Sequence, residues 1–195
     1  MTAIGWIQIG VFFLAVLALT KPLGAYMFRV FEGEKQPLPA VFGKAERFLY
    51  RLCGVDPAKE QAWTTYAFSL LAFSLFGVLV TYGIERVQHV LPLNPQGLGP
   101  VEPALAFNTA ASFTTNTNWQ SYVPETTVSY LTQMAGLAWH NFTSAAAGIA
   151  VALAISRGMT RTNREKTIGN FWVDLIRSTV YVLLPISFVY ALFLV

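Results

Sequence analysis

The stretch best equipped for chemistry is rich in oxygen and carries no charge. Residues 114–122 read Thr-Thr-Asn-Thr-Asn-Trp-Gln-Ser-Tyr, and eight of the nine carry a hydrogen-bonding group other than an indole. No acid, base or thiolate is present, so the string offers acceptor oxygens and little else. It follows an apolar run over 103–113, Pro-Ala-Leu-Ala-Phe-Asn-Thr-Ala-Ala-Ser-Phe. Pro103 suits the first turn of a helix and Glu102 suits its positive dipole end. Eleven residues make a helix of about 16 Å, half a membrane. Ahead of it, Pro92, Pro95, Pro100, Gly97 and Gly99 break any longer helix. A short apolar helix whose flanks return to one side is expected to be re-entrant. Its C-terminal residues Ser112, Phe113 and Thr114 would carry the partially negative dipole end toward the membrane centre.

Other reactive groups are sparse. The single cysteine, Cys53, excludes an intrachain disulfide and reads as a small filler in a loop. There is no CxxC pair and no Cys/His cluster of the zinc type. His140 lies within a long apolar run, where a histidine bonded to a neighbouring helix is the ordinary expectation. A membrane-embedded enzyme built on His140, Asn141 and Ser144 would need a carboxylate inside a span, and none is expected there. Asn141-Phe-Thr143 matches a glycosylation acceptor but falls inside the same apolar run. His89 is expected to be solvated. There is no phosphate-binding GxxxxGK[ST] loop, since Gly43-Lys44 is followed by Ala45, and there is no Asp-Lys-Thr-Gly-Thr string.

The elements that must hold the oxygen-rich string are membrane helices. Of 195 residues, 54% are hydrophobic and 12% charged, against roughly 25% charged in a soluble domain. This excludes a nucleic-acid binder, a disulfide scaffold and a disordered chain. Four stretches, 1–20, 61–84, 126–156 and 178–195, are free of Asp, Glu, Lys and Arg and long enough to span. None alternates as a barrel strand would. The first lacks a basic n-region, so it reads as an uncleaved anchor and not as a secretory signal.

Loop charge sets the orientation. Residues 21–60 hold Lys21, Arg29, Lys35, Lys44, Arg47, Arg51 and Lys59; residues 157–170 hold Arg157, Arg161, Arg164 and Lys166; residues 85–125 hold only Arg86. Basic loops stay cytoplasmic, so the 85–125 segment and the N-terminus are expected outside. Asp174 and Arg177, three apart, are expected to pair locally. Trp63, Tyr66 and Tyr82 sit where an interfacial aromatic belt would lie. Ser144, Gly148 and Ala152 recur every four residues, a spacing that lets helices approach closely.

Non-helical backbone at membrane depth survives where it is buried in protein or lines a water-filled cavity. Free helix-end carbonyls together with Thr and Asn oxygens form a cage that can replace the hydration shell of a hard monovalent cation. The pattern alone also admits an outer loop dipping into the interface on Asx and Thr turns.

The chain resembles the potassium-binding, channel-like A subunits of the bacterial Kdp potassium-transporting ATPase. The strings that carry the likeness are TKPLGAYM at 20–27, LPLNPQ at 91–96, NTAASFTTNTNWQSY at 108–122, ETTVSYLTQMAGL at 125–137, SAAAGIAV at 144–151 and GNFWVDLIRSTVYVLLP at 169–185. The resemblance implies an all-α membrane protein: four transmembrane helices plus one re-entrant pore helix and filter loop. Within it, 4–20 would be an extra N-terminal helix, 21–60 a cytoplasmic loop, 61–156 the first helix–pore loop–helix repeat, 157–170 a second cytoplasmic loop, and 171–195 the first helix of a second repeat. Thr115, Asn116, Thr117 and Asn118 would form the first-repeat potassium filter, with Gln120 at its entrance.

The same likeness implies a function. The subunit would bind potassium from the extracytoplasmic side and pass it into an ATP-driven uptake pump of the bacterial inner membrane. Potassium would be the transported ion, with no organic cofactor. The implied partners are the lipid bilayer, an ATP-hydrolysing P-type subunit, a further anchored subunit and a small single-span peptide, with no nucleic acid. A stand-alone potassium channel or symporter subunit of the same superfamily is the alternative. One repeat supplies one quadrant, so the chain reads as the N-terminal part of a longer subunit; assembly of four copies is the other way to close a filter.

Overall fold

A computed structural model describes residues 2–32, 39–160 and 167–194. It is helical, and among the described residues the extended pairing is limited to one bridge between Ala62 and Thr167. Four helices are long and apolar enough to cross a membrane: α1 (Ala3–Phe31), α3 (Trp63–Val87, prolonged by a tight 3₁₀ turn to Val90), α6 (Thr132–Thr160) and α7 (Phe171–Leu194). Between them lie α2 (Pro39–Cys53), α4 (Pro103–Thr114) and the single turn α5 (Pro124–Thr127). The chain is therefore a multi-pass membrane protein with a half-length helix between its second and third spans.

The boundaries depart from the charge-free stretches for physical reasons. α1 passes Lys21 and Pro22 and ends at Phe31, with Arg29 in its last turn. Long basic side chains can lay their stems along the helix and reach for the interface, so they do not end a span. The 21–60 loop includes the amphipathic helix α2, and Cys53 is its exposed last residue, not a loop filler. Span α7 starts at Phe171 and takes Asp174 and Arg177 inside, capped by Asn170 Oδ1, which accepts from the Trp172 and Val173 N–H groups. Both α6, over Thr132–Ala138, and α7, over Ser178–Leu183, carry wide π turns. Lys35, Arg161, Arg164 and Lys166, four of the cations behind the orientation argument, lie outside the described residues.

Asp174 and Arg177 do not pair with each other. Arg157 of α6 grips Asp174 with both guanidinium branches, Nη1 to Oδ2 at 2.6 Å and Nη2 to Oδ1 at 3.1 Å, while its Nε meets Glu32 Oε1 at 2.5 Å. Tyr66 Oη lies 3.0 Å from Asp174 Oδ2 and 2.8 Å from the Ala150 carbonyl, so this tyrosine is buried and is not part of an interfacial belt. Gly169, at φ +100°, leaves room for the guanidinium; a Cβ there would collide with Arg157 Nη1. Three spans and the residue after α1 thus meet at one buried charge. Arg177 turns instead to α2, donating to Glu46 Oε1 at 3.0 Å. Tyr50 and Tyr181 donate to the same carboxylate at 2.7 and 2.8 Å. Each charge finds its partner on another helix, because a buried ion stays only where opposite charge and hydrogen bonds replace water.

The α6–α7 contact is floored by Ala146, Ala147, Ala150 and Ala154, which receive the rings of Tyr66 and Phe171. Those rings sit edge to face, 5.6 Å apart. The face expected from Ser144, Gly148 and Ala152 therefore divides: Ser144 is buried, whereas Gly148 and Ala152 are exposed and nothing lies within 4 Å of a Cβ placed on Gly148. Methyl-bearing alanines, one residue round the helix, fill the space under the aromatic rings better than glycine would.

Removing Asp174 leaves the buried Arg157 with only the half-exposed Glu32 as a charged partner among the described residues. Asp174→Ala is expected to destabilise the complete protein by about 3–5 kcal/mol, read as a lowered thermal midpoint in detergent; an unchanged midpoint would show the pair to be solvated. Burial pushes the Glu46 carboxyl up, but the hydrogen bonds from Tyr50, Tyr181 and Arg177 and the charge of Arg177 outweigh it and hold the group below its ordinary value of 4.5. A carboxyl lowered on folding adds stability that is complete above its unfolded pKa and disappears as pH falls through the folded one. Melting midpoints measured from neutral pH down to about pH 3 are expected to fall more gently for Glu46→Gln than for the natural chain. Parallel curves would rule out this contribution.

Candidate filter site

The half-helix α4 is built as its sequence anticipates. Pro103 opens it and Glu102 caps it, its side chain accepting from the Leu105 N–H at 2.9 Å. Hydrogen bonds from the Leu105 and Ala104 N–H groups hold that exposed carboxyl below the usual range. The helix enters beside the end of α3, where the Val101 N–H meets the Glu85 carbonyl at 3.1 Å. Its other end, Thr114, reaches Gly77, near the middle of α3, and His140 of α6. α4 therefore descends about halfway down the flanking spans and stops.

Residues 115–118 then fold back on the helix that delivered them. The Thr115 N–H donates to the Ala111 carbonyl (3.0 Å), Asn116 to Phe113 (3.2 Å), and Thr117 and Asn118 both to Ser112 (2.9 and 3.2 Å). Four consecutive N–H groups are thus taken by carbonyls that α4 would otherwise leave orphaned at its C-terminus. Within the described residues, no hydrogen bond reaches the carbonyl oxygens of residues 115–118. The φ angles at Asn116 and Asn118 are +59° and +55°, while Thr115 has φ −85°. Asparagine is among the few non-glycine residues that visit this left-handed region readily.

Side chains brace the return. The Ser112 hydroxyl donates to the Trp119 carbonyl at 2.9 Å and accepts from the Trp119 N–H at 2.6 Å, clasping the far end of the string. Phe113 is buried with Ala106, Val101, Val128 and Leu137. The Thr115 hydroxyl lies 3.0 Å from that of Thr117. The Ser144 hydroxyl, midway along α6, bonds the His140 carbonyl and lies 3.2 Å from Asn116 Oδ1. That contact sets the depth of the string: it lies level with the centre of a span. Gln120 reaches the Tyr122 hydroxyl at 3.4 Å, and an open hollow of about 390 Å³ beside Asn118 and Gln120 is lined also by Gln133 and Asn141. Residues 115–120 are exposed.

This arrangement gathers Ser112, Phe113, Thr114, Thr115, Asn116, Thr117, Asn118 and Gln120 into one unit and leaves Gly148 and Ala152 outside it. Sequence reasoning missed Gln88, fully buried at the C-terminal end of α3. Its amide donates to the Gly99 and Thr127 carbonyls at 2.6 and 2.9 Å, and its Oε1 accepts from the Ser129 N–H (2.9 Å) and the Thr132 hydroxyl (3.1 Å). One side chain thus ties the chain entering α4 to the chain entering α6. A glutamine beside an expected interface carries no periodic signal that could have found it. Carboxylates inside the helices were also unexpected: Asp174 is paired, and Glu85 is fully buried, with no hydrogen bond to its carboxyl oxygens among the described residues.

The family model for the potassium-transporting ATPase A subunit matches residues 10–195. The chain belongs to that family. A potassium-transporting ATPase potassium-binding subunit of Mesorhizobium japonicum is 59% identical over 192 residues, 98% of this chain and 34% of that protein. The protein of the same description from Granulibacter bethesdensis is 58% identical over 195 residues, again 34% of its length, and that of Rhodospirillum centenum is 58% identical over the same span. The chain covers about a third of the length of these curated relatives. The likeness expected from the TNTNWQ string and its flanks is thereby established at the level of the family.

The clasp makes a local prediction. Ser112→Ala removes both hydrogen bonds to the backbone of the exposed Trp119, each worth about 0.5–1.5 kcal/mol. Amide exchange at residues 115–120, followed by mass spectrometry in detergent, is expected to speed up while the spans stay protected. Unaltered exchange there would show that the string holds its shape without Ser112.

Proposed function

We propose that this chain contributes one quadrant of a potassium-selectivity filter, with Thr115, Asn116, Thr117 and Asn118 supplying ion-facing oxygens and Gln120 shaping the entrance. The observation that carries the reading is the direction of the backbone bonds. All four N–H groups turn back to α4, which leaves the four carbonyls without partners among the described residues, at mid-span depth and beside the negative end of a helix dipole. Uncharged oxygens in that setting suit a large, weakly hydrated monovalent cation: they can replace its water without the strong field of a carboxylate, which would favour a divalent ion. An anion would prefer the opposite dipole end.

In this reading 61–156 is the first helix–pore loop–helix repeat, α1 an added helix before it, and α7 the opening helix of a second repeat. The complete subunit selects potassium from the extracytoplasmic side and passes it into an ATP-driven uptake pump of the bacterial inner membrane. Its N-terminus lies outside, and the loops around α2 and after α6 face the cytoplasm. Hydrolysis of ATP falls to a P-type partner chain, with a further anchored subunit and a small single-span peptide completing the complex. Names of relatives as potassium-binding subunits of a potassium-transporting ATPase support this assignment.

Asn118→Ala and Gln120→Ala in the complete complex are expected to raise the potassium concentration for half-maximal uptake about tenfold, the equivalent of about 1.4 kcal/mol, and to reduce discrimination against rubidium and sodium. Uptake into liposomes, driven by ATP and measured with each ion, checks this. Unchanged affinity and selectivity in both variants would sink the filter assignment.

A further inference from the structure

His140 is buried where three elements meet behind the string, and it bonds to each of them. Its Nδ1 lies 2.9 Å from the Gly136 carbonyl, in the π turns of its own helix, and 3.2 Å from the Thr81 hydroxyl of α3. Its Nε2 lies 3.2 Å from the Thr114 hydroxyl, on the last residue of α4. A carbonyl only accepts, so Nδ1 carries the hydrogen that bonds Gly136. In the neutral ring Nε2 is then an acceptor, and Thr114 donates to it. α3 makes space for this: a Cβ on Gly77 would stand 2.7 Å from Nε2 and 3.4 Å from the Thr114 hydroxyl. One turn further along α6, Ser144 meets Asn116. His140 and Ser144 share a helix face and contact, in order, the end of α4 and the second residue of the string after it.

We infer that His140 is a positioning residue for ion discrimination. By accepting from Thr114 it fixes the end of α4 between α3 and α6, and so fixes where residues 115–118 begin, without touching the ion. The inference rests on the filter reading. The connection is short: Ala111, Ser112 and Phe113 supply every carbonyl that the string's N–H groups use. A shift of the last turn of α4 therefore moves all four N–H acceptors together, and with them the opposite-facing oxygens. An ion cage tells potassium from rubidium by fine differences in oxygen placement, so such a shift degrades selectivity before it degrades assembly.

The test uses the complete complex in liposomes, with ATP-driven uptake of potassium and rubidium and the thermal midpoint of each variant. Thr114→Val keeps the side chain's shape but cannot donate, and His140→Leu cannot accept; Thr114→Ser and His140→Gln restore those capacities. His140→Leu and Thr114→Val are each expected to lower potassium-over-rubidium discrimination about tenfold, raising the KM for potassium while maximal uptake stays within about twofold. The double variant is expected to be no worse than His140→Leu alone, because that change already breaks the Thr114–His140 bond. Thr114→Ser and His140→Gln should stay close to the natural protein. Should His140→Leu fail to assemble, the contrast of Thr114→Val with Thr114→Ser decides. Additive losses, or lowered midpoints with discrimination intact, would overturn the inference. Asn118→Ala and Gln120→Ala run alongside: if they alter discrimination and the His140–Thr114 variants do not, only the positioning role fails. If none of the variants alters discrimination, the positioning role and the filter reading fall together.

Discussion

A peptide N–H in the middle of a membrane has no water to turn to, and leaving it bare costs several kcal/mol. Continuous helices meet this demand automatically; a chain that stops halfway and turns round does not. Here the turn meets it with the one resource at hand, the orphan carbonyls at the end of α4. Ala111, Ser112 and Phe113 accept from residues 115–118, so a helix end lacking donors and a string lacking acceptors satisfy each other. What remains unpaired is a row of carbonyl oxygens. The constraint that makes re-entrant backbone difficult is the same one that leaves these oxygens free. It also accounts for the alternation of Thr with Asn. Turning N–H groups back within so few residues takes φ positive at Asn116 and Asn118, where β-branched threonine would be strained.

The string is only as well placed as the helices around it, and those are locked by buried charge. Arg157, Asp174 and Glu32 join α6, α7 and the end of α1, while Glu46 and Arg177 fasten α2 to α7. Such pairs are costly to bury, and an apolar core could be as stable. Their value lies in geometry. A bidentate guanidinium–carboxylate contact has one good arrangement, whereas apolar helices can slide. In a bilayer, where lipid tails are as apolar as leucine, packing alone is a weak guide to register. The charges lie toward one end of the spans and the string near their middle, so the clamp holds the frame without placing a full charge beside the unpaired carbonyls.

Much of this was legible in the residues. Pro103, the eleven-residue apolar run and the polar string after it specify a half-helix that stops and turns, because length and punctuation are local properties. The spans were legible for the same reason, but their ends were not. Lys21, Asp174 and Arg177 look like boundaries to a count of charges and lie inside helices once stems snorkel or partners arrive from distant sequence. The pairing of Arg157 with Asp174, across 17 positions, and of Arg177 with Glu46, across 131, is set by how helices dock. Small-residue spacing pointed to Gly148 and Ala152, yet the rings of Tyr66 and Phe171 selected the alanine face instead. The π turns left no trace in composition, although one of them supplies the Gly136 carbonyl that orients His140. Within the site, residue types announced oxygen chemistry; which oxygens are free could be read only from the hydrogen bonds.

A single row of carbonyls cannot dehydrate an ion by itself. Removing a hydration shell requires oxygens on several sides at once, and here they come from one side. Residues 115–120 are exposed, and Gly148 and Ala152 offer a second open surface on α6. α1 buries nothing within its apolar stretch. These bare surfaces contrast with the tightly bonded interior behind the string, where Ser112, His140 and Ser144 leave little freedom. The internal bonds fix the shape of one row; the open surfaces are where further rows would have to pack. Relatives about three times as long as this chain have the length to provide them. In the proposed filter the separation between rows, which sets cavity size, is left to contacts beyond this one row. The orientation of each carbonyl within a row depends on the local bonds described here. In the proposed filter, selectivity then has two structural sources, and the one contained in this chain is the local bond pattern at the end of α4.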